Sequence, residues 1–459
     1  MLKVHNSLSG KKELFKPRHG KKVNMFVCGI TPYDSAHIGN FRVFIVYDMM
    51  ARYLRYAGYN VFYLQNVTDI DDKIIAAAKK QNIDWKAIVQ KYYTEFRVVG
   101  KKLNITSVTR YAKATTHMRE IVSQIERLVK KGYAYESNGS VYFEVKKFKD
   151  YGKLSRQNLA KLHAGARLED DKNKRHPYDF VVWKTQKPGE PAWSSPWGKG
   201  RPGWHIEDTA ITEHFFGPQY DLHGGATELK FPHHEAEIAQ QESASGKRPF
   251  VKYWVHAGIL NIGGEKMSKS FGNFVSGSDM VAAHEPDAFR FLILSAHYRS
   301  PIHYTEKLMA QAAANLASIR ACTAALRKAA GRRSAAFPFA RFAKIFAEAM
   351  DDDFNTPRAL AAIFSLVRAA NTAIAKKILS RTDAQKVLAF LKTVERVFGV
   401  SFATPKTKKI TAAIVALANE RHRLRKAGKW AEADAVRTKI AAQGYEVRDT
   451  KEGYELISR

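Results

Sequence analysis

The sequence predicts an α/β protein with a Rossmann-like, doubly wound parallel sheet and an inserted connective domain, followed by an α-helical bundle and a small C-terminal domain. Strand-like and helix-like segments alternate from residue 23 onward, as in doubly wound sheets. Beyond residue 304 the sequence is rich in Ala, Leu and Arg, which is typical of helical bundles. We therefore assign the sheet to residues 1–300 with its insertion at about 84–165, the bundle to 301–401 and the last domain to 402–459.

The first half begins with a strand, a helix and a second strand. Apolar residues predict these elements at 23–28, 41–57 and 61–64. From 84 to about 131 the apolar residues recur at helical spacing, and 140–145 has the composition of a short strand. The stretch 183–204 is rich in Pro, Gly and Trp, which predicts an irregular segment that is nevertheless packed.

The second half resumes the sheet and then becomes helical. Pro232 suits the start of a helix that runs to about residue 241, because a missing N–H costs nothing there. A strand at 253–262 follows, and Thr356 with Pro357 predicts the start of a bundle helix. For the last domain we predict an Arg-rich helix near 414–427, a second helix from 430 and then turns.

The composition indicates a globular protein that binds a polyanion. Hydrophobic residues make up 45% and charged residues 26% of 459 positions, and no run reaches the roughly 18 apolar residues of a membrane span. The formal charge of +31 favours nucleic acid as a partner. Only Cys28 and Cys322 are present and no signal-peptide pattern begins the chain, so we expect a soluble, cytoplasmic protein without disulfides.

Two short motifs predict a divided nucleotide site. His-Ile-Gly-Asn at 37–40 follows the first strand and begins a helix, where unpaired N–H groups favour phosphate. Lys-Met-Ser-Lys-Ser at 266–270 follows two glycines and places two lysines in a loop that can close over a triphosphate. Together the motifs predict attack on the α-phosphate of ATP, with Mg²⁺ accompanying the nucleotide.

Four residues stand out as candidate metal ligands, namely Cys28, Asp208, His233 and Glu237. His233 and Glu237 lie four positions apart on a predicted helix and so share one face, whereas His234 is turned away by about 100°. Cys28 ends the first strand, and the carboxyl ends of strands are where such sheets bind ligands. Spacing alone does not connect Cys28 with His233, and scattered residues of these types are more often structural.

Several blocks of sequence resemble class I aminoacyl-tRNA synthetases and, more narrowly, cysteinyl-tRNA synthetases. The nucleotide motifs resemble the class signatures His-Ile-Gly-His and Lys-Met-Ser-Lys-Ser, with Asn40 replacing a His; Asn can donate a hydrogen bond but cannot titrate. The narrower resemblance rests on blocks beginning at Cys28, Asn66, Gly200 and Phe231. It implies a ligase that activates L-cysteine with ATP to cysteinyl-AMP, releases pyrophosphate, and transfers cysteine to the 3′-terminal adenosine of tRNA(Cys).

The resemblance also implies roles for individual residues. Zn²⁺ would be held by Cys28, Asp208, His233 and Glu237, with Asp208 standing where the family has a second cysteine. The implied catalytic residues are His37, Asn40, Lys266 and Lys269. The implied ATP-binding residues are Ile30, His37, Gly39, Asn40, Gly224, Gly225, Lys266, Ser268 and Lys269. The implied substrate-binding residues are Cys28, Gly29, Thr68, Trp204, His223 and Glu228, the last where the family usually has Asp. The implied anticodon-binding residues are Arg425, Trp430, Asp434 and Asp449.

The resemblance implies that zinc selects the thiol of cysteine over the hydroxyl of serine. Packing alone would discriminate between these two side chains by only about 1–3 kcal/mol. Replacing a soft sulfur ligand by the oxygen of Asp208 predicts weaker but retained zinc binding. Two alternatives remain open: a ligase that joins cysteine to an amino-sugar, and a synthetase-like RNA-binding protein without catalysis. The basic C-terminal segment and the +31 charge favour tRNA as the partner, and we expect a monomer that does not bind membranes.

Overall fold

The chain folds around a parallel β-sheet, as seen in a computed structural model. It describes residues 1–157, 171–203, 205–263, 265–266, 274–329, 331, 337–404, 411–450 and 453–458, of which 265–266 and 457–458 are described by their backbone alone. The chain divides into two compact units, residues 1–402 and 403–459.

The two units contain the following elements. The strands of the first unit are β1 (Lys3–Asn6), β2 (Lys11–Leu14), β3 (Lys22–Ile30), β4 (Asn60–Val67), β5 (Arg110–Lys113), β6 (Ala134–Ser137), β7 (Ser140–Phe143), β8 (Phe180–Thr185), β9 (Gly200–Pro202), β10 (Tyr220–Ala226), β11 (Val251–Ala257), β12 (Leu260–Ile262), β13 (Glu265–Lys266) and β14 (Ile302–Tyr304). Its helices are α1 (Ile38–Tyr56), α2 (Asp72–Gln81), α3 (Trp85–Lys102), α4 (Met118–Lys130), α5 (Ile206–Phe216), α6 (His233–Ser245), α7 (Gly277–Ala283), α8 (Pro286–Leu294), α9 (Glu306–Lys328), α10 (Phe339–Asp351), α11 (Thr356–Ala375) and α12 (Arg381–Phe398). The second unit contains α13 (Ala412–Lys426), α14 (Trp430–Ala442), β15 (Tyr445–Thr450) and β16 (Gly453–Ser458).

The central sheet is parallel and doubly wound, as predicted. Its strand order is β11-β10-β3-β4-β5. The chain moves from β3 outward to β4 and β5, and later fills the other side with β10 and β11, so the direction of winding reverses between β3 and β10. The carboxyl ends of the strands at such a reversal form the crevice in which these folds bind ligands.

The helical prediction for 84–131 is wrong in its middle, because β5 interrupts it. Residues 110–113 pair in parallel with β4 from Leu64 to Val67 and form the edge strand of the central sheet. Four residues are too short to show a clear alternation, and pairing with the buried strand β4 decides their conformation. The fifth strand of the sheet therefore lies inside the segment that we assigned to the insertion.

A four-stranded antiparallel sheet, β6-β7-β8-β9, lies between β5 and α5 in sequence. Part of the stretch that we predicted as irregular belongs to it, since Trp183 in β8 pairs with Pro202 in β9. The side chain of Trp183 is fully buried, in agreement with the expectation that this segment is packed.

The predicted strand at 253–262 is two strands, β11 and β12, separated at Gly258. A Cβ added at Gly258 would lie 2.5 Å from the carbonyl oxygen of Ser300. This close approach requires glycine, and the chain leaves the central sheet there to pair with β14.

Helices α9 to α12 pack together as the predicted bundle. The α11 helix begins after the N-cap Asn355, with Pro357 in its first turn. Among the described residues, α11 is also the one helix long and apolar enough to cross a membrane by length and composition. Core helices pass the same test, and nine α11 residues are buried.

The second unit pairs two helices with a β-hairpin. Helices α13 and α14 match the predicted positions, but the residues that we predicted as turns form the antiparallel strands β15 and β16. Tyr445 and Val447 on β15 join Ile414, Ala418 and Ile440 in a small apolar core. Burial against the helices stabilises a hairpin that local sequence alone signals weakly.

Candidate active site and metal centre

The first nucleotide motif lies at the N-terminus of α1 and caps it. His37 is the N-cap: its Nδ1 accepts a hydrogen bond from the backbone N–H of Asn40 at 3.2 Å, and the Asn40 Oδ1 accepts one from the N–H of His37 at 3.1 Å. This is a reciprocal capping box. Both side chains are half-buried. The motif therefore has a structural role at the end of the helix where phosphate binding is favoured.

The segment after the lysine loop returns to this helix start. The N–H of Ile38 donates to the carbonyl of Val275 at 3.1 Å, and the N–H of Gly277 donates to the carbonyl of Ala36 at 2.8 Å. The chain enters the lysine motif from β12 and β13, and the residues that follow the motif, from Val275 to Gly277, contact the start of α1. Ser268, Lys269 and the side chain of Lys266 lie outside the described residues, as does Trp204.

Cys28, His233 and Glu237 converge at the sheet reversal, with Asp208 beside them. Nε2 of His233 lies 3.0 Å from Oδ2 of Asp208 and 3.1 Å from Oε1 of Glu237. Sγ of Cys28 lies 3.9 Å from the same oxygen of Glu237. All four residues are buried. Three elements bring them together: Cys28 is on β3, Asp208 on the first turn of α5, and His233 and Glu237 on α6.

The donor set fits a divalent cation. Bonds of about 2.0–2.3 Å to a tetrahedral zinc ion place the donor atoms roughly 3.3–3.8 Å apart, close to the observed separations. Oδ1 of Asp208 is buried and has no hydrogen-bond partner among the described residues. A buried carboxylate oxygen without a partner is costly, and a bound cation would offset that cost.

The electrostatics of the cluster also call for positive charge. Burial raises the pKa of the Cys28 thiol well above its ordinary value, and Glu237 and Asp208 raise it further. Burial, followed by Asp208, likewise raises the pKa of Glu237. Burial lowers the pKa of His234 well below its usual range, with neighbouring histidines adding to the effect. A cation would favour the thiolate of Cys28 and the carboxylate of Glu237, and the lowered pKa of His234 keeps its imidazole neutral, which is the form that can bind a metal.

His234 belongs to this cluster, which corrects the expectation that it is turned away. Its Nε2 lies 3.1 Å from Sγ of Cys28, and its Nδ1 lies 2.8 Å from Nε2 of His256. Cys28, His233, His234 and Glu237 offer ligand atoms that all lie within 4.8 Å of one another. His234 is rotated about 100° from His233 around the helix axis, as expected for neighbouring helix residues. Because α6 is buried on all sides, the face that carries His234 also contacts the site.

Glu207 is a second residue that the sequence did not single out. Its Oε1 accepts a hydrogen bond from Oγ1 of Thr68 at 3.3 Å, and Oγ1 of Thr68 accepts one from the amide of Asn66 at 3.2 Å. Burial, followed by Asp208, raises the pKa of Glu207 well above its ordinary value. Its place next to Asp208 in the first turn of α5 was the available signal.

The glycines of this region are explained by protein contacts. A Cβ on Gly29 would lie 1.8 Å from the carbonyl oxygen of Asn66, and one on Gly224 would lie 2.4 Å from the ring of Tyr47. A Cβ on Gly225 would lie 2.8 Å from the ring of His234. These glycines therefore allow close packing of α1, α6 and the sheet.

The remaining predicted site residues lie around the same edge of the sheet. Ile30 is the buried last residue of β3. His223 on β10 is fully buried, and its Nε2 lies 3.4 Å from Sγ of Cys28. Glu228 is in an exposed 3₁₀ turn directly after β10.

In the second unit, three of the four predicted anticodon-binding residues are connected. The guanidinium of Arg425 lies 5.1 Å from the centre of the Trp430 ring and 3.0 Å from a carboxylate oxygen of Asp449. Arg421, which is buried, holds the same carboxylate through two hydrogen bonds. Trp430 is 59% exposed, and Asp434 is also exposed.

Comparisons with known proteins identify the family. Residues 14–314 match the family model described as the tRNA synthetases class I (C) catalytic domain, and 345–403 match the DALR domain. The chain is 44% identical to the cysteine–tRNA ligase of Geobacter sulfurreducens over 98% of each chain. It is 42% identical to that of Pasteurella multocida over 99% of each chain. A solved methionyl-tRNA synthetase of Mycobacterium tuberculosis bound by methionyl-adenylate shares the fold, with a TM-score of 0.61 at 15% identity, over 89% of this chain and 96% of that one.

The parallel sheet, the paired nucleotide motifs and the match over 14–314 define a class I tRNA synthetase, an ATP-dependent ligase. Within that class the relatives match along nearly the whole chain. The chain belongs to the cysteine–tRNA ligase family.

Proposed function

We propose that this protein activates L-cysteine with ATP and transfers it to the 3′-terminal adenosine of tRNA(Cys), and that zinc selects the substrate thiol. The observation that carries the proposal is the convergence of Cys28, His233 and Glu237 with Asp208, beside the capped start of α1. A thiol-selecting site and a phosphate-binding site then share one crevice.

The residues of the nucleotide motifs bind and orient ATP in this proposal. The N-terminus of α1, where the helix dipole favours anions, faces the phosphates, and His37 and Asn40 keep that helix end ordered through their capping box. Lys266 and Lys269 neutralise the charge that develops on the phosphates, Ser268 and the glycines at 39, 224 and 225 line the nucleotide, and Mg²⁺ accompanies ATP. The amino-acid carboxylate attacks the α-phosphorus and pyrophosphate leaves, so no side-chain nucleophile is required.

The metal would be held by Cys28, Asp208, His233 and Glu237. The Nε2 atom of His234, which lies 3.1 Å from the sulfur of Cys28, would help to position that sulfur. When bound there, zinc supplies a Lewis acid that prefers the sulfur of cysteine to the hydroxyl of serine. Around the metal, Gly29, Thr68, Trp204, His223 and Glu228 orient the amino acid. Oxygen from Asp208 in place of sulfur makes the site bind zinc more weakly than a site with two cysteines.

The second unit reads the anticodon in this proposal. Arg425 and Trp430 present a cation stacked on an exposed indole, a combination suited to unstacked bases. Asp434 and Asp449 add hydrogen-bond acceptors. We propose that the protein acts as a cytoplasmic monomer; both cysteines are unpaired, as suits a reducing compartment.

The alternative in which cysteine is joined to an amino-sugar does not account for the DALR domain or the second unit, both of which the full-length relatives cover. The alternative without catalysis rested on Asn40 and Asp208. Asn40 caps α1, and a carboxylate oxygen of Asp208 lies 3.0 Å from Nε2 of His233, where it would still offer a metal donor, so neither residue argues for lost activity.

One experiment tests the proposal: charging of tRNA(Cys) with cysteine or serine, with and without a zinc chelator, together with the zinc content of the purified protein. We expect charging with cysteine, none detectable with serine, and loss of charging after chelation. Full activity in chelator by a protein that contains no zinc would contradict the role of the metal. Cysteine-dependent ATP–pyrophosphate exchange without charging of tRNA would instead favour the amino-sugar ligase.

A further inference from the structure

A basic and aromatic groove lies outside the site described above. It is a cavity of about 580 Å³ formed by one face of α3, residues 105–108 and the edge strand β5. We define the α3 groove by Tyr93, Arg97, Lys101, Tyr111 and Lys113, which line it. Its size falls in the range of roughly 300–1,000 Å³ that is common for ligand sites.

The charge of the α3 groove is of one sign. Three of its lining side chains are cations and none is acidic. From 90 to 113 the chain has six Lys or Arg residues and one acid, Glu95. Glu95 does not neutralise the cations of the groove, because its carboxylate lies on the other side of α3 and accepts hydrogen bonds from Ser35 and Ser278 there. The groove is therefore complementary to a polyanion.

Two tyrosines add stacking surfaces between the cations. The rings of Tyr93 and Tyr111 lie 6.3 Å apart at 75°. The guanidinium of Arg97 lies 4.0 Å from the centre of the Tyr111 ring, and Nζ of Lys113 lies 5.8 Å from that of Tyr93. Cations that neutralise phosphates next to aromatic faces that accept bases are the recurring elements of single-stranded nucleic-acid sites.

The position of the groove connects it with the crevice and separates it from the nucleotide site. Lys113 is at the carboxyl end of β5 and pairs with Val67, directly before Thr68 of the candidate substrate pocket. The capped start of α1 follows β3, which lies two strands away from β5, or about 10 Å. A long substrate can contact both places at once, whereas one ATP molecule at the α1 N-terminus leaves the groove to another ligand.

We propose that the α3 groove is a second contact for tRNA, in which Arg97, Lys101 and Lys113 bind backbone phosphates and one of the two tyrosines stacks on an unpaired base. This proposal rests on the proposed function, since it names a further contact for the same tRNA. It places that contact on the unit that carries the catalytic sheet, apart from the anticodon-reading residues of the second unit.

The test uses full-length protein carrying Arg97→Gln and Lys101→Gln together, with tRNA(Cys) binding measured at several salt concentrations. Both side chains are exposed, so we expect only a small fall in melting temperature, from the lost contact between Arg97 and the Tyr111 ring. Loss of two phosphate contacts should weaken tRNA binding about tenfold and reduce the salt slope by about 1.5, since each contact contributes roughly 0.7–0.9. Cysteine-dependent ATP–pyrophosphate exchange should stay within about twofold of the unmodified protein.

The matched control is Lys79→Gln with Lys80→Gln on α2, which removes the same charge from exposed positions that do not line the groove. Equal tRNA affinity and salt slope in the two double variants would overturn the proposal. Reduced exchange in the Arg97 and Lys101 variant would also overturn it, because the groove would then serve adenylation. Thr94→Glu, which places an acid in the groove, should weaken tRNA binding as well. Absence of exchange in the unmodified protein would contradict the proposed function and leave the binding comparison interpretable.

Discussion

At the scale of single residues, Asp208 distinguishes this chain from the zinc-ligand pattern that its sequence resembles. Its Oδ2 lies 3.0 Å from Nε2 of His233, and its Oδ1 is buried without a hydrogen-bond partner among the described residues. Oxygen is a harder donor than sulfur, so in the proposed zinc site Asp208 would keep the charge of a cysteine thiolate and lower the preference for zinc.

We predict that Asp208→Cys tightens zinc binding by at least about tenfold, equivalent to about 1.4 kcal/mol. Chelator competition monitored by zinc release measures the affinity, and Co²⁺ substitution should add a thiolate-to-cobalt charge-transfer band. Asp208→Ala is the control, because it removes the donor and should bind zinc more weakly than either form. Equal affinity in the Cys variant and the unmodified protein would show that residue 208 does not contact the metal.

At the scale of secondary-structure elements, the start of α1 combines a structural and a proposed functional role. His37 and Asn40 satisfy each other's backbone N–H groups, and the N–H of Ile38 donates to the carbonyl of Val275, so protein contacts order this helix end before any ligand binds. Asn replaces the His of the class signature without loss of the cap, since its side-chain oxygen accepts the hydrogen bond.

We predict that Asn40→Ala destabilises the protein by about 1 kcal/mol through loss of the cap and, in addition, raises the KM for ATP in pyrophosphate exchange. Ser380→Ala is the matched control. Ser380 caps α12 in the bundle by accepting a hydrogen bond from the N–H of Asp383 at 3.0 Å. It should lower stability by a similar amount and leave the KM for ATP unchanged. The same KM effect in both variants would assign Asn40 a purely structural role.

A second prediction at this scale concerns α14, which begins with Trp430. Because the indole is 59% exposed, Trp430→Ala should leave the fold intact and raise the KM for tRNA(Cys) at least severalfold through lost stacking, worth about 1–3 kcal/mol per base. Val415→Ala on α13, at a residue that is 38% exposed, serves as the control. Aminoacylation kinetics and pyrophosphate exchange are compared; loss of exchange in the Trp430 variant would indicate a folding defect instead.

At the scale of the whole molecule, a buried ion pair ties the sheet to the bundle. Asp48 on α1 accepts hydrogen bonds from Arg290 on α8, from Arg52, and from the N–H of Ser107 at 2.8 Å. Arg290 also donates to the carbonyl of Phe398 at the end of α12. Burial alone would raise the pKa of Asp48, but the two arginines hold it below its ordinary value.

We predict that Asp48→Asn lowers the free energy of unfolding by about 3–5 kcal/mol, because the charge of Arg290 stays buried without its partner. The pKa of Asp48 is depressed in the folded state, so its stabilisation is present above pH 4 and is lost as pH falls through the folded-state pKa. Urea unfolding at pH 7 and below pH 4 measures both effects. Asp352→Asn, which breaks the exposed pair with Lys12, should cost less than about 1 kcal/mol. Equal losses in the two variants would contradict a special role for the buried pair.

Local spacing predicted part of the candidate site, and the resemblance to a known family supplied the rest of the prediction. The four-residue separation of His233 and Glu237 placed both on one helix face, and the strand before the first motif placed Cys28 near the ligand crevice. His234 and Glu207 were missed. Their roles depend on side chains packed against them from other strands and helices, which periodicity does not report.

The sequence by itself determined the strand–helix–strand start of the sheet, the helical bundle that follows it and the basic charge suited to nucleic acid. Only the tertiary structure decided that β5 completes the sheet, that residues 445–450 and 453–458 pair as a hairpin, and that side chains from β3, α5 and α6 lie together as candidate metal ligands. The physical reason is that these features come from contacts between residues distant in the chain. Strand order and burial determine such contacts, whereas local propensity determines only the elements that make them.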